Sequence, residues 1–142
     1  MKPHSPTTFF VDRCLGRQTV ASALRKAGHA VQVHDDVFPA DCPDAFWLAE
    51  VGKRNWLVLT KDRHIQNRTV ELTAVANSGV KVFNLSSGNL SGVEMADVFV
   101  RAADRIIRFS IGNSGPFIAK VSRAGVVTML LTSTRLSKYL IR

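Results

Sequence analysis

The chain has 142 residues, of which 46% are apolar and 21% charged; that is one domain's worth of chain with enough apolar matter for a core, and it excludes wholesale disorder. Two cysteines, Cys14 and Cys42, are too few for a disulfide framework, so free thiols are the simpler reading. The formal charge of +8 is uneven: residues 1–97 carry 11 Lys or Arg against 10 Asp or Glu, whereas residues 98–142 carry 8 against 1. Such a split suits a molecule that steers a polyanion with one region and does chemistry with another.

The opening stretch, with Lys2, Pro3, His4 and Pro6, is too short and polar for a signal peptide. No run approaches the ~18 apolar residues that cross a bilayer, and the expected location is the cytoplasm. Thr8-Phe9-Phe10-Val11 reads as a buried strand ending at Asp12. A helix follows over Thr19–Ala27, with Thr19 as its cap and Gly28 as its stop. Ala30–His34 reads as a second strand, with Asp35 and Asp36 at its end and a loop over 37–43.

Asp44 is an expected N-cap for a helix whose apolar face is Trp47, Leu48 and Val51, with Gly52 at its end. A third strand starts at Asn55, centres on Trp56–Leu59 and finishes in Thr60-Lys61-Asp62. A helix over Val70–Ala76 and a strand over Val80–Phe83 come next. Residues 93–109 form the clearest helix, because Met95, Val98, Phe99, Ala102, Ile106 and Phe109 recur every three or four positions. Asp97–Arg101 and Asp104–Arg108 are spaced to pair along it. Phe117–Val121 and Val126–Leu131 flank Arg123-Ala124-Gly125 as a β-hairpin. The tail Leu136–Ile141 reads as loosely packed or partner-seeking.

Alternating strands and helices imply a parallel sheet with helices on both faces. The first three strands all end in aspartate: Asp12, Asp35-Asp36 and Asp62. In a parallel sheet those ends share one edge, where ligands bind. Asp12 becomes central if the first strand lies between the second and third, and Asp44 reaches the same edge. Two carboxylates ~5 Å apart repel by roughly 3 kcal/mol at an effective dielectric of 20. Such groups take up protons or require a cation. Oxygen donors suit Mg²⁺ or Mn²⁺.

Asp12, Asp44 and Asp62 are the preferred ligands, and Asp36 is favoured over Asp35 as a fourth. Each has a plainer reading as a turn or cap residue. Asp41 and Glu50 read as solvated. Arg13, Lys61 and Arg63 flank the acids and are candidates for phosphate oxygens. Thr60 either aligns a ligand or ends its strand. Trp47 and Trp56 read as core. His34 and His64 with Cys14 and Cys42 lack the spacing of a zinc site. No GxxxxGK or GxGxxG motif is present.

Four segments carry a resemblance: Phe9-Phe10-Val11-Asp12-Arg13, His34-Asp35-Asp36-Val37-Phe38, Asp44-Ala45-Phe46-Trp47 and Trp56–Arg63. Together they resemble the PIN-like nucleases, in particular the VapC-type toxins. The resemblance covers residues 8–92, and the following helix and hairpin resemble the extension of one PIN-like subgroup. It implies an α/β three-layer sandwich around a mostly parallel sheet, with residues 1–92 as the catalytic core and 93–142 as a basic extension of the same domain.

The resemblance also implies a Mg²⁺- or Mn²⁺-dependent endoribonuclease with Asp12, Asp44, Asp62 and Asp36 around the metal. The family's later acid has no counterpart near the fourth strand, where Asn84 and Ser86 stand. An RNA substrate and a neutralising antitoxin are the implied partners, and a homodimer is left open. Arg101, Arg105, Arg108, Lys120 and Arg123 are the expected steering surface for the RNA backbone. The rival readings are a non-catalytic nucleic-acid or protein-binding module on this fold, and a phosphoacceptor regulatory domain.

Overall fold

A computed structural model describes residues 7–141; the polar opening stretch over 1–6 lies outside them. Six strands form one sheet: β1 (Thr8–Val11), β2 (Ala30–Val33), β3 (Leu57–Thr60), β4 (Lys81–Leu85), β5 (Phe117–Val121) and β6 (Val127–Leu131). Their order is β2-β1-β3-β4-β5-β6. All neighbours are parallel except β5 and β6. β1 therefore lies between β2 and β3, at the point where the strand order reverses.

Six helices accompany the sheet: α1 (Thr19–Lys26), α2 (His34–Val37), α3 (Asp44–Lys53), α4 (Thr69–Ser78), α5 (Gly92–Gly112) and α6 (Ser133–Leu136). The strands are apolar on both sides, as a sheet covered on both faces requires. Phe9, Val11, Leu59, Phe83 and Val121 pack with Leu24 of α1 and Phe99 and Ile106 of α5. Phe10, Val58, Val82 and Ile118 pack on the other face with Trp47 and Val51 of α3, Val75 of α4 and Leu136 of α6. The result is the three-layer α/β sandwich expected.

Several local expectations are corrected. His34 does not end a strand; it opens the single turn α2, and Asp35 and Asp36 lie on that turn. The buried ring of His34 sits among Phe10, Phe38 and Trp47, which draws the chain inward there. The N-cap of α3 is Pro43, and Asp44 is its first helical residue. Thr19 likewise follows its cap, Gln18, which makes no side-chain capping bond.

Asn55 lies outside β3, in a left-handed turn at φ 58°. Asp97 pairs with Arg101 at 2.9 Å, but no ion pair joins Asp104 and Arg108. The first strand of the hairpin does not pair with its partner alone, because β5 also pairs along its whole length with β4. The tail is not loose at Leu136, which is fully buried. The strongest helix signal is also firmly started: Ser91 and Glu94 form a reciprocal capping box at the head of α5.

Gly52 does not stop α3 but lies inside it. A β-carbon there would collide with the backbone carbonyl of Ser78 at the end of α4. The glycine thus sets how closely α3 and α4 approach. Gly52→Ala is expected to cost about 1–3 kcal/mol, the usual penalty of overpacking, read as a lower midpoint in urea denaturation. An unchanged midpoint would mean that the helices separate at no cost.

Candidate metal centre and its basic flank

The parallel strands deliver their C-terminal ends to one edge. There Asp12, Asp44 and Asp62 line a single cleft of about 390 Å³ with Arg13, Cys14, His34, Ala40, Cys42 and Trp47. Asp12 follows β1 directly, Asp62 lies two residues beyond the end of β3, and Asp44 enters from the head of α3.

Asp12 sits deepest. Its Oδ1 accepts from the Arg13 backbone N–H at 2.7 Å, and its Oδ2 accepts from the Thr60 hydroxyl at 2.8 Å. Burial raises its carboxyl above the ordinary value of 3.8, against the opposing pull of those two hydrogen bonds. The charge of Asp44 adds to the upward push.

Asp62 is the N-cap of a 3₁₀ turn over Arg63–Gln66, and its Oδ1 accepts from the His64 backbone N–H at 2.9 Å. Its own backbone N–H donates to Thr60 Oγ1 at 3.1 Å. The fully buried Thr60 hydroxyl thus joins both strand-end acids. Asn84, beside Thr60 in the sheet, braces the same turn from below: its Nδ2 donates to the Asp62 carbonyl at 2.9 Å and to Gln66 Oε1 at 3.0 Å. Asn84 is thus an amide that holds the Asp62 turn. Asp44 accepts from the indole Nε1 of the buried Trp47 at 2.9 Å. Their three-residue separation at the head of α3 was the available signal for that contact.

Asp36 is exposed and does not line the cleft. Its neighbour Asp35 is engaged instead, with His34 Nδ1 at 3.0 Å and Arg13 Nε at 2.8 Å. The His34 hydrogen bond, aided by Arg13, holds the Asp35 carboxyl below the ordinary range. Arg13 also donates to the Ala40 carbonyl at 3.3 Å, so its guanidinium ties the loop after α2 to the head of the cleft. Lys61 is exposed and outside the cleft lining.

Cys14 contributes its sulfur to the same corner, 3.3 Å from Thr60 Oγ1, and accepts from the Lys61 N–H at 3.4 Å. Cys14 is exposed as a residue, but its sulfur is turned into this corner, where lost solvation first, and the Asp12 charge second, push its thiol up to about 11. Neither cysteine forms a disulfide. Alkylation of Cys14 at pH 8 is therefore expected to be slow, and to accelerate towards pH 11 and in Asp12→Asn. Labelling followed by mass spectrometry checks this; fast labelling of Cys14 at pH 8 would contradict it.

Among the described residues, no three His, Cys, Asp or Glu side chains stand close enough to hold an ion without moving. The donor set nevertheless fits a hard divalent cation. Its oxygen donors are the carboxylates of Asp12, Asp44 and Asp62 in an open cleft that Cys14, His34 and Cys42 also line, and Asp12 is raised by burial and by its acidic neighbour.

The expected basic surface divides in two. Arg101 donates to the Arg123 carbonyl at 3.2 Å, Arg105 to the Gly125 carbonyl at 3.0 Å, and Arg123 reaches Glu94 at 3.2 Å. These three pin α5 to the hairpin turn. Arg108 stands exposed on α5, and Arg63 and Lys120 line a separate pocket beside the Asp62 turn.

A three-layer α/β sandwich with strand-end acids at the reversal of its strand order is the architecture of a PIN-like domain. The chain belongs to the PIN-like domain family, whose model matches residues 7–87, a span that contains Asp12, Asp44 and Asp62. It is similar to the protein named "Putative ribonuclease VapC45" of Mycobacterium tuberculosis (strain ATCC 25618 / H37Rv), with 26% identity over 125 residues, covering 85% of this chain and 90% of the relative. No solved structure matches the chain at a comparable level. No helix among the described residues is long and apolar enough to cross a membrane.

Proposed function

We propose that this chain is a divalent-metal-dependent endoribonuclease, the toxin of a toxin–antitoxin pair. The observation that carries the reading is the convergence of Asp12, Asp44 and Asp62 on one cleft at the strand-end edge. The similarity to a relative named as a ribonuclease supports the choice of RNA. Residues 7–92 hold the acids, and residues 93–141 supply the basic helix and hairpin of the same unit.

Asp12, Asp44 and Asp62 would hold the ion, Mg²⁺ or Mn²⁺. When bound, that ion ionises and orients water and offsets charge on phosphoryl oxygens. Thr60 fixes the rotamer of Asp12 and the turn of Asp62 together, and Trp47 fixes Asp44. Asp36 stands away from this cleft, so three acids rather than four form the proposed set. The positive surface of the C-terminal third draws the RNA backbone in without reading bases. An antitoxin would silence the enzyme by covering the cleft.

The test is incubation of the purified protein with mixed cellular RNA plus Mn²⁺ or Mg²⁺, with and without a chelator. Metal-dependent appearance of discrete fragments is expected. RNA bound but never shortened, over all metals and a broad RNA pool, would favour the binding-module reading. A stable acyl phosphate on one aspartate would favour the phosphoacceptor reading.

A further inference from the structure

Next to the acidic cleft lies a second concavity of about 400 Å³, lined by Arg63, Gln66, Asn67, Asn84, Leu85, Ser86, Lys120 and Leu130. Its composition is the reverse of its neighbour's, with two cations and no carboxylate. Neither Arg63 nor Lys120 makes a side-chain hydrogen bond or ion pair among the described residues, unlike Arg13, Arg101, Arg105 and Arg123. Their charges are therefore available to a ligand.

The two concavities are mechanically joined. Arg63 is the residue after Asp62, and Asn84 ties the Asp62 carbonyl to Gln66 on the floor of the basic pocket. Lys120 projects from β5 opposite Asn84 of β4. β3 and β5 lie two strand spacings apart, roughly 10 Å. Acids at the ends of β1 and β3 and cations after β3 and on β5 thus follow one another across the sheet edge, in two neighbouring concavities.

We propose that this basic pocket is a backbone-phosphate subsite, in which Arg63 and Lys120 clamp a phosphate of single-stranded RNA a short way along the strand from the one being cut. Arg63 offers a planar fork for two phosphate oxygens and Lys120 a point charge. The polar side chains of Asn67 and Ser86 line the same wall. The subsite fixes the register of the RNA across the cleft and discriminates by charge and strand form rather than by base. It rests on the nuclease reading above.

The test titrates a fluorescent single-stranded RNA oligonucleotide into Asp12→Asn protein, where the RNA survives, across several salt concentrations. Arg63→Gln/Lys120→Gln is compared with Lys26→Gln, a charge change at the far end of α1 on the opposite edge of the sheet. The double variant is expected to bind at least about tenfold more weakly. Its slope of log affinity against log salt is expected to flatten by about 0.7 for each phosphate that is no longer neutralised. Trimming the oligonucleotide from its 3′ or its 5′ end should abolish the difference on one side only.

If the double variant and Lys26→Gln bind RNA alike, the subsite assignment is wrong while the nuclease reading stands. If the parent protein binds no RNA at any salt concentration, both fall. If Arg63→Gln/Lys120→Gln instead loses only a protein partner, the pocket is a protein dock and the assignment is overturned.

Discussion

Replacing Asp12 by Asn is expected to lower metal-dependent RNA cleavage by about a thousandfold, close to 4 kcal/mol of transition-state stabilisation, and Asp62→Asn by a similar factor. The substitution preserves shape, and the new amide oxygen still accepts the Thr60 hydroxyl that now donates to Asp12 Oδ2. What disappears is the charge, and with it one accepted hydrogen bond, because the amide nitrogen in place of Oδ1 cannot accept the Arg13 N–H. The same charge makes the metal-free fold pH-dependent. Burial raises the Asp12 carboxyl above 3.8, so the folded chain holds that proton more tightly than the unfolded chain. Its contribution to stability is full below the ordinary value and is lost as pH rises through the raised one.

With a chelator present at pH 7, relief of the buried charge offsets the lost Arg13 bond, so Asp12→Asn should melt close to the parent, although it cuts RNA far more slowly. Thermal melts and cleavage rates on one preparation check both halves. Equal cleavage by the parent, Asp12→Asn and Asp62→Asn would point to a different site or a contaminating nuclease. A large drop in melting temperature would assign Asp12 a purely structural role.

Trp47 carries the second large effect, and its two roles separate by substitution. Its buried ring lies against Phe10 with centroids 5.3 Å apart and meets His34 edge-on. Trp47→Ala empties that space and is expected to cost about 3–5 kcal/mol of stability. Trp47→Phe keeps an aromatic ring but removes the indole N–H that holds Asp44. Loss of such an orienting interaction commonly costs about 10–100-fold in metal affinity or activity. Trp47→Phe should therefore stay folded, bind RNA normally and need more Mn²⁺ to reach half-maximal cleavage. An unchanged Mn²⁺ requirement would show that Asp44 needs no help from the indole.

The strands and long helices were legible because burial on both faces writes itself as apolar runs, and α5 writes itself as a three-and-four repeat. The edge where Asp12 and Asp62 meet followed from strand order alone. What escaped was local and depended on tertiary contact. Nothing in His34-Asp35-Asp36 announces a helical turn, because the turn is set by His34 entering an aromatic cluster. That turn leaves Asp36 exposed and aims Asp35 at Arg13.

The same holds for Gly52, whose lack of a side chain reads as a stop signal but serves a helix crossing. The hairpin reading of residues 117–131 captured an antiparallel pair and missed that its first strand also extends the parallel sheet. Asn84 looked like an absence, an acid not supplied. Only its bonds to the Asp62 carbonyl and Gln66 reveal it as a brace.

Everything proposed for the cleft requires Asp12, Asp44 and Asp62 to act as one cation-binding unit. Calorimetric titration of Mn²⁺ into the RNA-free protein at pH 7 tests it directly, alongside Asp12→Asn/Asp44→Asn. Saturable binding to the parent, weakened at least about tenfold in the double variant, is the predicted result. Indistinguishable isotherms for the two proteins would contradict it.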